Sequence, residues 1–136
     1  MAELPFELTG VVVPGKQLGS KLGFPTANIA YDPQSREWPE EGVYAGVAML
    51  EGDSRRYVTI LNQGHHPTAP GGMPTVEAHL LEHPDIPLYG RRLTLIYRAF
   101  LRPETTFSSL EALRNQLEQD RRSALAWAQE HEPQLI

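Results

Sequence analysis

The sequence predicts a mainly β domain, a small antiparallel barrel or a sandwich, with one α-helix near its C-terminal end. Two observations lead to this prediction. Five or six short segments rich in β-branched and aromatic residues are separated by stretches that contain glycine and proline. The end of the chain then changes to the spacing of an amphipathic helix, with leucine and alanine recurring along one face.

Composition limits the classes to which the protein can belong. A chain of 136 residues with 40% hydrophobic residues is one domain with a substantial core, not a disordered segment. It has no cysteine and no apolar run long enough to span a bilayer, so we expect neither disulfides, nor thiolate metal sites, nor membrane insertion. A net charge of −5 argues against nucleic-acid binding. Because the start of the chain does not resemble a signal peptide, we expect a cytoplasmic protein.

The predicted strands follow β-propensity and end at turn residues. A turn at Glu51–Ser54 joins two of them as a hairpin. The predicted strands are Phe6–Val13, Val43–Leu50, Arg56–Leu61, Thr75–Leu81 and Arg92–Leu101. Three stretches rich in proline, glycine or histidine are predicted to be irregular, namely Ala30–Glu41, Asn62–Pro74 and His83–Gly90.

The C-terminal helix is predicted to run from about Ser109 to Gln129. Ser108 and Glu111 have the spacing of a capping box, in which the serine accepts from the backbone of the third helical residue. One apolar face should pack on the β structure, formed by Leu110, Leu113, Leu117, Ala124 and Ala128.

A glycine-rich loop near the start is the first candidate binding site. Gly15, Gly19 and Gly23 recur every four residues, and the only two lysines of the chain, Lys16 and Lys21, lie among them. Exposed amides and mobile positive charges together are suited to binding phosphate groups. The alternative is a hairpin tip of ordinary turn residues, since the P-loop pattern is absent and no helix pattern follows.

The loop continues into an extended Pro-Thr-Ala-Asn segment. Side chains alternate along a strand, so Thr26 and Asn28 should point to the same side. A hydroxyl and an amide oxygen placed in this way could bind one hard cation such as Mg²⁺.

Glu77 is the candidate catalytic carboxylate. Alternation within Thr75–Leu81 places Glu77 and His79 on one face, opposite Val76 and Ala78. A strand carboxylate at a cleft could orient a hydroxyl nucleophile and accept its proton. Without other information, a solvent-facing acid on a half-exposed sheet is the simpler interpretation.

Two further features have alternative interpretations. His79 and His83 lie four residues apart, but they belong to a predicted strand and turn, so a zinc site is not favoured. Arg102 and Phe107 flank the junction between the last strand and the helix, where they could hold a planar ring. Phe107 could instead only pack the start of the helix.

Taken together, these motifs resemble the riboflavin kinase (flavokinase) family over roughly residues 10–121. The run Gly-Phe-Pro-Thr-Ala-Asn and the later Val76-Glu77 are specific in combination. The resemblance is carried by Gly15…Gly19…Leu22-Gly23-Phe24-Pro25-Thr26-Ala27-Asn28, Gly42-Val43-Tyr44-Ala45-Gly46, Asn62-x-Gly64-x-x-Pro67-Thr68, Val76-Glu77-x-His79-Leu80-Leu81, Leu88-Tyr89-Gly90, Leu101-Arg102-x-Glu104-x-x-Phe107-x-Ser109-Leu110-Glu111 and Gln116…Asp120.

The resemblance implies a closed six-stranded antiparallel Greek-key barrel with the C-terminal helix packed on it. It also implies transfer of the ATP γ-phosphate to the ribityl 5′-hydroxyl of riboflavin, which gives FMN and ADP. The family pattern would make Glu77 the base. It would make Thr26 and Asn28 ligands of the phosphates and of Mg²⁺ or another divalent cation. Nucleotide contacts would come from Gly15, Lys21, Leu80, Glu82 and Tyr89, and flavin contacts from Arg102, Thr105 and Phe107.

The expected partners are therefore the small molecules ATP and riboflavin, bound by a monomer. Many bacterial relatives carry an N-terminal adenylyltransferase domain, which we do not find in residues 1–136, so the expected product is FMN. Two alternatives stay open. One is a non-catalytic flavin- or nucleotide-binding module on the same barrel. The other is a small metal-dependent enzyme that uses the histidines.

Overall fold

The computed structural model of the chain describes residues 1–13, 25–67, 72–82 and 84–136, and for residues 65–67 it describes the backbone only. These residues form six strands, a long helix and a short 3-10 helix at Pro133–Leu135. The strands are β1 (Phe6–Val13), β2 (Thr26–Ala30), β3 (Gly42–Leu50), β4 (Arg56–Pro67), β5 (Pro74–Leu80) and β6 (Arg92–Arg102), and the helix is α1 (Leu110–His131).

The six strands close into one antiparallel barrel in the order β1-β2-β5-β4-β3-β6. Long pairings of β6 with both β1 and β3 complete the barrel wall. β3 and β6 approach closely at Gly46, where a Cβ would lie 2.2 Å from the carbonyl oxygen of Ile96. The pairing register shifts at the same point, between Ala45 and Gly46. A glycine is required there because no side chain fits against the neighbouring backbone. The expected fold, a closed barrel with a C-terminal helix, is confirmed.

Strand alternation separates two hydrophobic cores. The interior of the barrel is filled by large side chains from all six strands, among them Ile29, Leu61, Leu80 and Tyr97. A second, smaller core lies on the outer face of β3 and β4, where α1 packs. It consists of Val43, Ala45, Val58, Ile60, Ala124 and Ala128. The outer face of this part of the barrel is therefore covered rather than open to solvent.

The start of α1 differs from the prediction. The N-cap is Ser109 and not Ser108, and its hydroxyl accepts from the backbone N–H of Ala112 at 3.1 Å. The third helical residue is thus an alanine, which has no side-chain acceptor to complete a capping box. The predicted buried face is correct for Leu117, Ala124 and Ala128 but wrong for Leu110, which is 60% exposed. Leu110 lies in the first turn, beyond the edge of the second core.

The strand β4 is longer than the sequence predicted. Residues 62–67 continue the strand, whereas the whole range Asn62–Pro74 was predicted to be irregular; residues 68–71 lie outside the described part. Poor intrinsic β-propensity is overcome because Gln63 pairs with Gly42 on one side and with Val76 on the other. Its side chain donates to the Pro39 carbonyl at 2.9 Å and accepts from the Tyr97 hydroxyl at 2.8 Å. A buried amide is thereby satisfied inside the barrel.

The stretch Ala30–Glu41 forms turns and bends, apart from Ala30, which ends β2. It is less peripheral than expected, because Tyr31 is buried in the barrel core and its hydroxyl donates to the Gly64 carbonyl at 2.9 Å. Within the described residues, no helix is long and apolar enough to cross a bilayer.

Candidate active site

One row of outward-facing residues crosses five strands of the barrel. Asn28 on β2 pairs with Glu77 on β5, and Glu77 pairs on its other side with Asn62 on β4. Asn62 then pairs with Val43 on β3, and Val43 with Arg102 on β6. Residues directly opposite one another in a sheet share a face. The fold therefore brings Asn28, Glu77 and Arg102, which are far apart in sequence, into one line.

The spacing of the strands sets the scale of this row. Adjacent strands lie about 4.8 Å apart, so four steps separate Asn28 from Arg102 by roughly 19 Å along the sheet. One functional group of a ligand cannot contact both ends of the row. The row can instead bind an extended molecule, with Glu77 between its two ends and one step away from each asparagine.

Thr26 belongs to the next row, where it pairs with His79. The Thr26 Oγ1 lies 3.1 Å from the Nδ1 of His79, so the two groups share a hydrogen bond. His79 is only 5% exposed, and this burial lowers its pKa to about 4, outweighing the opposing effect of the Asp120 carboxylate. The imidazole is therefore neutral near neutral pH and can hold the threonine hydroxyl without adding charge to the site.

Two amide oxygens of the main row have no hydrogen-bond partner among the described residues. They are the buried Oδ1 atoms of Asn28 and Asn62, on either side of Glu77. A buried carbonyl oxygen without a partner is rare in a folded protein, because its desolvation costs about 1–3 kcal/mol. Both oxygens are suited to accept a hydrogen bond from a ligand or, as hard donors, to bind a cation.

A cavity of about 400 Å³ opens on the Asn62 side of Glu77. It lies between the outer face of the barrel, the first half of α1 and the segment that joins β6 to α1. Its volume falls in the range of roughly 300–1,000 Å³ that buries most of a drug-sized ligand. Its walls include Asn62, Thr75, Glu77, His79, Arg102, Glu104, Thr105, Phe107, Leu110, Leu113, Leu117 and Asp120.

Arg102 is fixed in this cavity by an ion pair with α1. Its Nε and Nη2 donate to the two carboxylate oxygens of Asp120 at 2.9 and 2.8 Å. Asp120 also accepts from Gln116 at 3.0 Å and is almost fully buried. Paired bonds of this kind orient a guanidinium more tightly than one contact does. The Arg102 guanidinium also lies 5.9 Å from the centre of the Phe107 ring, so the aromatic side chain is held at the same wall.

The segment between β6 and α1 also contacts β4. A Cβ at Gly64 would lie 1.6 Å from the carboxylate Oε2 of Glu104, so the acid occupies the space that a side chain at position 64 would need. Burial is the main reason that the pKa of the nearby Tyr31 rises to about 12, with the charges of Glu41 and Glu104 adding to it. The Glu104 side chain thus lies against β4 at Gly64, and the segment that carries Thr105 and Phe107 follows it directly in the chain.

The remaining predicted site residues lie elsewhere. The Leu80 side chain is fully buried in the interior core, so a ligand could contact that position only through the backbone. Glu82 is exposed and paired with Arg55, and Tyr89 is 63% exposed on the link between β5 and β6. Gly15 and Lys21 lie outside the described residues, as does His83, which was considered with His79 for a zinc site.

Several residues of the site were not predicted. Asn62 was assigned to a loop, although a longer strand would have placed it on the same face as Ile60; its pairing with Glu77 follows only from the register of β4 with β5. His79 was placed on the same face as Glu77, but the one role considered for it was zinc binding. Among the described residues there is no group of three or more acidic or histidine side chains that could hold a metal on their own. The Glu104–Gly64 and Arg102–Asp120 contacts join distant segments and have no local sequence signature.

Comparisons with known proteins point to one family. The family model described as "Flavokinase: Riboflavin kinase" matches residues 2–128. A bifunctional riboflavin kinase/FMN adenylyltransferase of Pseudomonas fluorescens is 38% identical over 125 residues, which are 91% of this chain and 39% of that protein. A bifunctional riboflavin kinase/FMN phosphatase of Arabidopsis thaliana is 37% identical over 125 residues, covering 88% of this chain and 32% of that protein. The chain therefore spans about a third to two-fifths of these relatives.

Solved structures agree with the fold. The riboflavin kinase of Trypanosoma brucei superposes with a TM-score of 0.67 at 27% identity, covering 96% of this chain and 80% of that one. A Streptococcus pneumoniae structure described as a macrolide-efflux protein gives a TM-score of 0.74 over 90% of this chain and 39% of that one. At 24% identity, this second match supports the fold alone.

Proposed function

The chain belongs to the riboflavin kinase family, and from that premise we propose that it transfers the γ-phosphate of ATP to the ribityl 5′-hydroxyl of riboflavin, giving FMN and ADP. The bond between the γ-phosphorus and its bridging oxygen breaks, and a bond from the ribityl oxygen to phosphorus forms. The hydroxyl proton leaves toward a carboxylate. The two relatives described above differ in their second named activity but share the kinase, which supports this assignment for the shared part.

The observation that carries the proposal is the row Asn28–Glu77–Asn62 at the edge of a ligand-sized cavity. Phosphoryl transfer needs mainly positioning and neutralisation of charge, with little covalent chemistry by the protein. The reaction requires an oriented hydroxyl, a place for the phosphate groups beside it and a cavity for the rest of the acceptor. In this row the Glu77 carboxylate has on one side an amide oxygen that can bind a cation, and on the other side the cavity.

In this proposal Glu77 orients the 5′-hydroxyl and accepts its proton. Glu77 is the direct strand neighbour of both asparagines, so a hydroxyl bound to its carboxylate would be next to the phosphate side of the row. A catalytic base must first be within hydrogen-bond reach of the proton that it takes. Alignment of the nucleophile is thus the larger part of its role, with proton transfer late in the reaction.

Thr26 and Asn28 are proposed to hold a divalent cation, most simply Mg²⁺, together with the phosphate oxygens. The buried Oδ1 of Asn28, which has no partner among the described residues, fits this role. A bound Mg²⁺ would neutralise charge on the phosphates. The hydrogen bond to His79 would keep the Thr26 side chain in the orientation that faces the ligand. Thr26 and Asn28 supply only two neutral oxygens. The cation would therefore take its other ligands from the phosphate groups of the nucleotide and from water.

The flavin would occupy the cavity, with Arg102, Thr105 and Phe107 at its wall. The ion pair with Asp120 holds Arg102 in one orientation, so that its planar face and remaining N–H groups are available for a ring. Leu110, Leu113 and Leu117 supply an apolar surface on α1. The proposed nucleotide contacts are Gly15, Lys21, Leu80, Glu82 and Tyr89. Each proposed role is filled from one chain, so the reaction needs no second subunit.

The test is incubation of the purified chain with riboflavin, ATP and Mg²⁺, followed by chromatographic separation of FMN from riboflavin. The proposal predicts formation of FMN and ADP in equal amounts, dependent on both substrates. A non-catalytic flavin-binding module would quench flavin fluorescence without forming FMN, and that result would overturn the proposal. A control reaction without ATP excludes FMN that was bound during purification.

A further inference from the structure

Asn62 lies beside the reacting position but has no role in the mechanism above. It is the neighbour of Glu77 on β4, and it lines the cavity together with Glu77 and Arg102. Its position differs from that of Asn28, which is the neighbour of Glu77 on the opposite side and is not part of the cavity wall. Asn62 therefore lies where the acceptor molecule continues from its reacting hydroxyl into the cavity.

The carboxamide oxygen of Asn62 is buried and accepts no hydrogen bond from any residue that the structure describes. An asparagine kept only for structure would satisfy this oxygen within the fold, as Gln63 does next to it. An unsatisfied amide at a cavity wall is instead suited to a ligand that carries hydroxyl groups, because it can both accept from and donate to them.

A cation is a less suitable partner for Asn62. The proposed cation ligands Thr26 and Asn28 both lie on β2, and β5 separates that strand from β4. Two strand spacings, about 10 Å, are too far for side chains on β2 and β4 to share one small cation at about 2.1 Å from each oxygen without large movements. The hydroxyl-bearing acceptor is closer, since it must contact Glu77.

We propose that Asn62 recognises the ribityl chain by hydrogen-bonding to the secondary hydroxyl next to the one that is phosphorylated, and so selects for a polyol acceptor. This inference rests on the proposed function. Neighbouring hydroxyls of the ribityl chain are on adjacent carbons, and Glu77 and Asn62 are on adjacent strands. The backbones that carry the carboxylate and the amide lie about 4.8 Å apart, so the two side chains can bind two consecutive hydroxyls through two hydrogen bonds of about 2.8 Å.

The test is a thermodynamic cycle with two flavins and two proteins. Riboflavin and 4′-deoxyriboflavin are titrated into the wild-type chain and into Asn62→Ala in the absence of ATP, and binding is followed by flavin fluorescence. We expect removal of the 4′-hydroxyl to weaken binding to the wild type roughly tenfold, the usual scale for a hydrogen bond whose buried partner is left unsatisfied. In Asn62→Ala the two flavins should bind within about twofold of each other.

Asn115→Ala makes the same chemical change at an exposed position of α1 and should retain the wild-type discrimination. A wild type that binds both flavins equally would overturn the proposal without any variant, even if Asn62→Ala failed to fold. Equal discrimination in wild type and Asn62→Ala would overturn it as well. The cycle measures binding without ATP, so it is independent of turnover. If the chain forms FMN but the effects of Asn62→Ala and of removing the 4′-hydroxyl on flavin affinity are additive, only the role of Asn62 is refuted. A chain that shows the coupling but forms no FMN refutes only the proposed function.

Discussion

Glu104 occupies the space that a side chain at Gly64 would need. The carboxylate Oε2 lies 1.6 Å from the position that a Cβ on residue 64 would take, although the two residues are 40 positions apart in sequence. The contact joins β4 to the segment that carries Thr105 and Phe107. A side chain at position 64 would therefore have to displace the end of the Glu104 side chain, which lines the cavity. The φ of Gly64 lies outside the left-handed range that by itself favours glycine.

We expect Gly64→Ala to weaken riboflavin binding, because the new methyl group must displace the carboxylate end of the Glu104 side chain, which lines the cavity. A loss of roughly three- to tenfold corresponds to the coupling usual between residues in contact. Fluorescence titration of riboflavin measures it. The matched test is the double variant with Glu104→Ala. If the contact with Glu104 is the cause, Glu104→Ala removes the clash. The double variant should then bind riboflavin more tightly than the summed losses of the two single variants predict.

The substitution Arg102→Lys should raise the KM for riboflavin on the order of tenfold and leave the KM for ATP within about twofold. A lysine cannot reproduce the paired bonds to Asp120 or lie flat near Phe107, although it keeps the positive charge. Steady-state kinetics with each substrate varied in turn separate the two constants. Arg114→Lys makes the same change at an exposed position of α1 and should have no effect. An equal rise in both KM values would contradict the placement of Arg102 on the flavin side.

Thr26→Ala should raise the Mg²⁺ concentration needed for half-maximal turnover on the order of tenfold, the scale seen when the surroundings of a bound metal are altered. Thr26→Ser keeps the hydroxyl and should restore most of the wild-type value. Chelation of divalent cations should abolish turnover of every variant, reversibly on addition of Mg²⁺. Thr9→Ala, at an exposed position of β1, is the control. An unchanged Mg²⁺ dependence in Thr26→Ala would remove Thr26 from the cation site.

Local patterns predicted a small antiparallel β domain with a C-terminal helix and one side of the candidate site, whereas the closed six-stranded barrel was implied by the family resemblance. Alternation in Pro25–Asn28 and in Thr75–Leu81 placed Thr26 with Asn28, and Glu77 with His79, on common faces, and the register of β2 with β5 agrees with both. Such faces follow from a two-residue period that any strand must obey. The roles of these residues remain predictions, since geometry alone does not report catalysis.

The other side of the site, where Asn62, Arg102 and Asp120 line the cavity, could not be predicted from local patterns. Asn62 joins the row only because β4 continues past Leu61, and that extension depends on pairing with two neighbouring strands rather than on β-propensity. Asp120 lies on the mainly apolar buried face of α1, where a charge is acceptable because Arg102 neutralises it. Contacts of this kind depend on tertiary packing, which leaves no periodic trace in the chain.

The acid stability of the protein should depend on Glu132 at the end of α1. The hydrogen bond from Arg98, at 2.7 Å, is the main reason that the pKa of Glu132 is lowered from its ordinary value of 4.5. Between the lowered and the ordinary pKa the unfolded chain binds more protons than the native one. The stabilisation that the ionised Glu132 carboxylate provides is therefore complete above pH 4.5 and is lost as the pH falls through the lowered pKa.

Glu132→Gln should thus be less stable than wild type at neutral pH by about 1 kcal/mol, and the difference should shrink as the pH falls below 4.5. Urea denaturation across this pH range measures the free energy of unfolding of both proteins. Glu130→Gln, at an exposed position two residues earlier, should follow the wild-type curve. A difference between Glu132→Gln and wild type that is independent of pH would show that the carboxylate's charge is not the cause.

Replacement of Glu77 by glutamine separates catalysis from binding. The amide has nearly the same shape but cannot accept the hydroxyl proton, so we expect turnover to fall roughly 10²-fold or more while riboflavin binding changes little. Single-turnover formation of FMN and fluorescence titration of riboflavin measure the two quantities on the same preparation. Glu51→Gln, at an exposed acid in the turn between β3 and β4, should retain wild-type turnover. Because Glu77 is the residue of the row that lies between the two asparagines, unchanged turnover in Glu77→Gln would leave the row without a base and would contradict the proposed mechanism.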